Sequence, residues 1–303
     1  ISATGLKGSY GEAKAAGAAT DLAATVTGSG GIQFAAAGAG AFDGTAASTL
    51  KLNDTTVSFG AGTTAAQAAA LINEKTSSTG VTASLDTAGT ALVLKSDSAF
   101  TATGSAATTG FATAGVTAAK DLVGAASISV NGEQIALADG DDLAAVAAAI
   151  EAEKGTTGVG ATVADGRLKL TSEDGKAIVL DNGTNATTGP GALAKIGLSA
   201  GTTQAKLTAD TSVILNGVEV KFKKGDTADS IVSSINSAST GVTASKNADN
   251  TLALFSNKTF TVANGSAGTG LAQLGLTGVS ATNTAVTVET TVSNLSIQDA
   301  ASS

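Results

Sequence analysis

Two adjacent carboxylates, Asp141 and Asp142, are the side chains whose types best suit acid–base work. Such a pair needs environments that push its two pKa values apart. Related segments carry Gly225-Asp226-Thr227 and Gly62-Thr63-Thr64 at the same place, so a helix start explains the pair better. Asp181, Asn182 and Asn185 offer oxygen ligands for a cation. No loop has the alternating acidic spacing and closing glutamate that calcium loops use. Gly28-Ser29-Gly30-Gly31 is rich enough in glycine to suggest a phosphate cradle. It lacks the strand-then-helix setting and the Gly-Lys-Ser/Thr ending, which leaves a flexible loop as the better reading. Ser and Lys are present, but no nucleophile elbow surrounds any serine. The chain has no His and no Cys, which removes the commonest general base, the commonest metal ligand and any thiolate. No residue is assigned a catalytic, cofactor-binding or metal role, and the chain is not expected to be an enzyme.

The balance of charge narrows the partners. Net charge is −8, and the densest basic cluster is only Lys221, Lys223 and Lys224. Nucleic acid requires a basic face, and anionic lipid is disfavoured by the same argument. No apolar run approaches the ~20 residues that span a bilayer. Asn-x-Ser/Thr triplets at Asn53, Asn182, Asn185, Asn257, Asn264 and Asn294 arise readily in a Thr-rich chain. Ile1-Ser2-Ala3 has neither a charged start nor an apolar stretch, so no signal peptide is read there, and the chain is expected to be a piece of a longer protein.

The elements that must position these residues are repeated. Of the 303 residues, 8 are Phe, 1 is Tyr and none is Trp or Met, so any core is thin and aliphatic. That favours several small modules over one large globule. Three strands run into a turn: Leu50-Lys51-Leu52-Asn53-Asp54, Ile128-Ser129-Val130-Asn131-Gly132 and Val213-Ile214-Leu215-Asn216-Gly217. Asn-Gly favours the positive φ angles of a two-residue hairpin. Second strands follow at Thr56–Phe59, Gln134–Leu137 and Glu219–Phe222. Helix starts come next, with Asp229 three residues after Asp226 in the third copy. Apolar stripes then recur at helical spacing: Ala65, Ala68, Ile72; Leu143, Val146, Ile150; Ile231, Ile235. Gly80-Val81-Thr82-Ala83-Ser84 recurs identically as Gly241-Val242-Thr243-Ala244-Ser245, and a Leu-rich strand follows in every copy.

The predicted class is α+β and β-rich. Three β-β-α-β-β modules occupy 48–119, 120–202 and 203–279, each with small antiparallel sheets covered by one short helix. The strand-rich ends, 1–47 and 280–303, are expected to lie close together as base segments. So few large apolar side chains per module imply that the modules lean on one another. Copy two is the most diverged, which suggests nesting with copy two carried furthest out.

The ordered series Leu215-Asn216-Gly217, Gly225-Asp226-Thr227, Ile235-Asn236 and Gly241-Val242-Thr243-Ala244 resembles the flagellin IN motif. That motif occurs in the central regions of bacterial flagellins and in some hook-associated proteins such as the filament cap. The resemblance covers roughly residues 48–279. Ile72-Asn73 fits it as well, whereas Ile150-Glu151 departs from it. Val292–Ala301 is similar to the lead-in to a flagellin's C-terminal helical region. The resemblance implies the outer domains of a flagellin, without the helical core that the base segments would join. It implies an extracellular, structural role in the flagellar filament, self-association with neighbouring subunits, and O-glycans on surface Ser and Thr. It implies no cofactor. The filament cap, or a non-flagellar adhesin module, are the alternative readings; the scarcity of aromatics counts against a sugar-binding adhesin.

Overall fold

The computed structural model describes residues 7–279 and 286–291. Val292–Ala301, Asn294 and Ile1-Ser2-Ala3 lie outside the described residues. Three strands precede the first copy: β1 (Lys7–Ala16), β2 (Ala24–Thr27) and β3 (Phe34–Ala37). Copy one supplies β4 (Ser48–Leu52), β5 (Thr55–Phe59), α1 (Ala65–Asn73), α2 (Thr76–Thr79), β6 (Thr82–Leu85), β7 (Leu92–Ser96), β8 (Thr101–Thr103) and β9 (Val116–Thr117). Copy two supplies β10 (Ala126–Val130), β11 (Glu133–Leu137), α3 (Leu143–Ala152), α4 (Lys154–Thr157), β12 (Val159–Ala164), β13 (Arg167–Ser172), β14 (Ile178–Asn182), α5 (Ala192–Lys195) and β15 (Gly201–Thr203). Copy three supplies β16 (Thr211–Leu215), β17 (Val218–Phe222), α6 (Ala228–Ser237), β18 (Thr243–Lys246), β19 (Leu252–Ser256), β20 (Val262–Asn264) and α7 (Gly270–Gln273), and β21 (Val286–Thr291) follows.

The β-rich α+β class and the repeated hairpin–helix–hairpin order are as the sequence predicts. The hairpins close over two residues, with Leu52 opposite Thr55, Val130 opposite Glu133 and Leu215 opposite Val218. Asn53, Asn131 and Asn216 take φ of 51, 49 and 49°. Gly132 and Gly217 follow at 87 and 81°, giving the twist that lets two strands leave a tight turn together. On the helices, Ala68, Ile72, Val146, Ile150, Ile231 and Ile235 are buried as the stripes require, while Ala65 and Leu143 are half-buried.

Each copy is built from two sheets. The first hairpin gains the strand that follows the second pair: β8 beside β4, β14 beside β10 and β20 beside β16. The second pair gains a strand from residues 1–47: β3 beside β7, β2 beside β13 and β1 beside β19. Each helix lies against a strand of both sheets, α1 against β5 and β6, α3 against β11 and β12, and α6 against β17 and β18. The terminal segment thus completes all three copies in reverse order. Along the chain path copy three is therefore outermost and copy one innermost.

The chain divides into two compact units. One holds Ile1–Ala24, Ser172–Ala177 and Thr203–Ser303, and so contains copy three. In it β1 pairs antiparallel with β19, Ala15 opposite Leu254, and with β21, Lys7 opposite Thr291. The other holds Thr25–Thr171 and Ile178–Thr202, with copies one and two. In it the core of copy one gathers Leu50, Leu52, Phe59, Ile72, Leu92 and Leu94 with Phe42, a residue that precedes the copy.

Candidate functional site

The polar side chains that recur in all three copies form the structure's most organised site. The hairpin asparagines come first. Asn53 donates its backbone N–H to Thr101 O (2.9 Å) and accepts Thr101 N–H on Oδ1 (3.0 Å). Asn131 makes the same pair with Val179 (2.9 and 2.7 Å), and Asn216 with Thr261 (3.1 and 3.1 Å). In copies two and three the amide Nδ2 also donates, to Thr157 O (2.8 Å) and Thr240 O (2.9 Å). One residue type is needed here because it must tolerate a left-handed backbone and both donate and accept.

The helix starts are capped by Thr64, Asp142 and Thr227. Their side chains accept from Gln67 N, Ala145 N and Ser230 N, and Gln67 closes a capping box with Thr64. Asp142 is therefore the cap. Asp141 accepts instead from Ala138 N (2.7 Å), as Asp226 does from Lys223 N (2.9 Å), so each of these two braces the turn before its helix.

Past each helix lies the part that carries the motif's two letters. Asn73 Oδ1 accepts from Ala83 N (2.7 Å) and its Nδ2 donates to Ala83 O (3.0 Å). Asn236 repeats this ring with Ala244 at 2.7 and 3.0 Å. The side-chain amide thereby acts as one more backbone residue along the free edge of β6 or β18. In copy two, Glu151 Oε2 accepts from Ala161 N (2.8 Å), and a carboxylate has nothing to donate to Ala161 O. The Ala161 bond holds the Glu151 carboxyl below the usual range, with a smaller contribution from nearby Lys154.

Thr79, Thr157 and Thr240 were missed in the sequence. Each accepts the N–H of the valine two residues on, at 3.1, 3.1 and 3.2 Å. The signal was the triplet Thr-Gly-Val, identical at 79–81, 157–159 and 240–242. Asn182 and Asn264 were likewise not recognised as a pair. They close β14 and β20 and accept from Leu193 N (3.0 Å) and Leu271 N (2.9 Å) in the next short helices.

The other candidates disperse. Asn185 turns back on Thr187 N and Thr188 N, and Asp181 sits in β14 opposite Ser129. Among the described residues no group of three or more Asp and Glu side chains is placed to hold a metal ion. Gly28-Ser29-Gly30-Gly31 is pinned where a flexible loop was expected. Gly28 N–H donates to Leu168 O and Ser29 N–H to Gly197 O, both at 2.9 Å.

The Glu219 carboxylate accepts several hydrogen bonds. Hydrogen bonds from Ser266, and then from the Ser212 hydroxyl, hold its pKa down to about 2. Its contribution to stability is then fully present above the unfolded-state pKa and is lost as pH falls through about 2. The stability gap between the protein and Glu219→Gln should be constant above about pH 5 and shrink towards pH 2 in thermal melts. A gap that does not vary with pH would remove this role.

Every polar group in the repeated network engages a backbone amide or carbonyl, so the network is a scaffold. A scaffold repeated on this pattern defines a modular structural protein. The chain belongs to the flagellin hook IN motif family, whose model matches residues 43–98, 127–174 and 178–258, more than half its length. It is a flagellar structural protein, and the flagellum is an extracellular appendage. No helix among the described residues is long and apolar enough to cross a membrane. No curated protein matches the chain. Among solved structures, the flagellar cap protein FliD from Helicobacter pylori is similar at 14% identity and a TM-score of 0.19, over 93% of this chain and 88% of that one.

Proposed function

We propose that the chain forms the outer domains of a flagellar filament subunit, with modules at 48–119, 120–202 and 203–279 decorating the filament and contacting neighbouring subunits. The role is structural and involves no catalysis. The reading rests on one observation. Residues Lys7–Glu12 and Val286–Thr291 are adjacent antiparallel strands, and everything else described lies between them. A projection joined to a core leaves and returns in this way. Segments 1–47 and 280–303 then serve as its base, although β2 and β3 also complete copies two and one. The surface takes no nucleic acid and no membrane, and its Ser and Thr hydroxyls are acceptors for O-glycans.

Gold-labelled antibody against this chain tests the proposal on intact flagella. Labelling along the whole filament is expected. Labelling confined to the tip would assign the chain to a cap. Labelling that appears only after filaments are dissociated would place these domains in the core and overturn the reading.

A further inference from the structure

We propose that the cavity framed by Lys95, Lys120 and Lys195 is a binding site for a small divalent oxyanion of the phosphate or sulfate class. The cavity measures about 350 Å³ and lies wholly within the unit that holds copies one and two. Its cations come from separate places: Lys95 from β7, Lys120 from just after β9 and Lys195 from the end of α5. Ser29, Gly30 and Gly31 of the pinned stretch line it too, with Gly166 and Gly197. A Cβ on Gly31 would come within 2.4 Å of Gly166 O, so at that point the lining must be backbone. A second cavity of about 880 Å³ is also bordered by Lys95 and Lys195. Lys95 and Lys195 therefore line both cavities.

Around the smaller cavity three lysines, Lys95, Lys120 and Lys195, face two carboxylates, Asp97 and Asp121. Lys195 Nζ donates to Val123 O (3.2 Å), and Lys120 Nζ lies 5.6 Å from the centre of the Phe34 ring. Lys95 has neither an ion pair nor a side-chain hydrogen bond among the described residues. The carboxylates that border the two cavities are Asp97, Asp121, Asp86 and Asp139. Three of them accept hydrogen bonds from neutral donors and keep their charge: Asp97 from Gln33 Nε2, Asp86 from Thr90 N and Ala91 N, and Asp139 from Gly124 N. Burial lowers the pKa of Lys95, and the charge of Lys195 lowers it further; burial also lowers that of Lys195, against an opposing pull from Asp139. Half-buried like charges beside one another are costly. A dianion between the ammonium groups removes that cost for both. A tetrahedral oxyanion has enough oxygens to accept from several ammonium groups at once.

The test is titration of the full chain with sodium phosphate, and separately with sodium sulfate, against sodium chloride at matched ionic strength. Amide shifts in a ¹H–¹⁵N spectrum are the readout. Saturable shifts are expected at residues 29–33, 95–97, 120–123 and 194–197. Lys95→Gln and Lys195→Gln should each weaken binding about ten-fold. Lys169→Gln, which borders a different cavity, should leave it unchanged. Lys95→Arg keeps the charge and should still bind, which separates loss of charge from loss of structure. Shifts that never saturate, that survive Lys95→Gln, or that fall equally with Lys169→Gln would overturn the proposal.

Discussion

Replacing Phe59 by alanine should destabilise the unit that holds copies one and two by about 3–5 kcal/mol. Phe59 ends β5, is 2% exposed, and meets Phe42 edge to face with ring centroids 5.2 Å apart. The chain has so few large side chains that neighbours such as Ala68, Ala69 and Ala102 cannot swell to close the hole. The removed ring also strands Phe42, whose partner it was. Copy two supplies an internal control. The corresponding position is Leu137, which is buried as well, so a leucine is compatible with this architecture. Phe59→Leu should therefore cost only about 1 kcal/mol. Urea unfolding followed by circular dichroism measures both variants. A loss below about 1 kcal/mol for the alanine variant would show that the thin core is not what holds copy one together.

The local devices were legible because their signals are local. Asn216-Gly217 between two alternating runs predicts the hairpin, and Gly225-Asp226-Thr227 before a stripe of Ile231 and Ile235 predicts the helix. The cap itself is Thr227, one residue past the acid that drew attention, because Asp226 is spent on Lys223 N. What could not be read was pairing at long range. Ala35, Ala36 and Ala37 carry no alternation, yet they line up against Lys95, Leu94 and Val93 some 60 residues away. Small side chains suit a strand that must slip in beside a finished hairpin, but alanine alone does not signal a strand. The candidate site had a similar history. Ile-Asn was visible as a recurring pair, whereas the role of its asparagine depends on an alanine that only folding brings to it. Thr79, Thr157 and Thr240 were overlooked because a buried threonine reads as surface in a chain where threonine is everywhere.

The role of that asparagine can be isolated by exchanging one atom. Asn236→Asp keeps the acceptor for Ala244 N but replaces the donor that faces Ala244 O with a second acceptor. Size and shape hardly change, so the loss reports the hydrogen bond and the new oxygen–oxygen repulsion. At neutral pH a destabilisation of about 1–3 kcal/mol is expected. Acid should reverse it. A carboxyl facing a carbonyl has its folded-state pKa raised, so the penalty is full above that pKa and fades as pH falls below it and the group becomes a donor again. Copy two allows the opposite experiment. Glu151→Asn places an amide ten residues before Ala161, the separation at which Asn73 already closes both bonds with Ala83. It forfeits the exposed pair with Lys154, whose worth is small. The exchange should therefore stabilise copy two by about 0.5–1.5 kcal/mol. Chemical denaturation of both variants at pH 7, and of Asn236→Asp again in acid, provides the measurement. If Asn236→Asp is neutral, or its loss persists unchanged in acid, the asparagine is not acting as a substitute strand residue, and the recurrence of Ile-Asn would need a cause outside the fold.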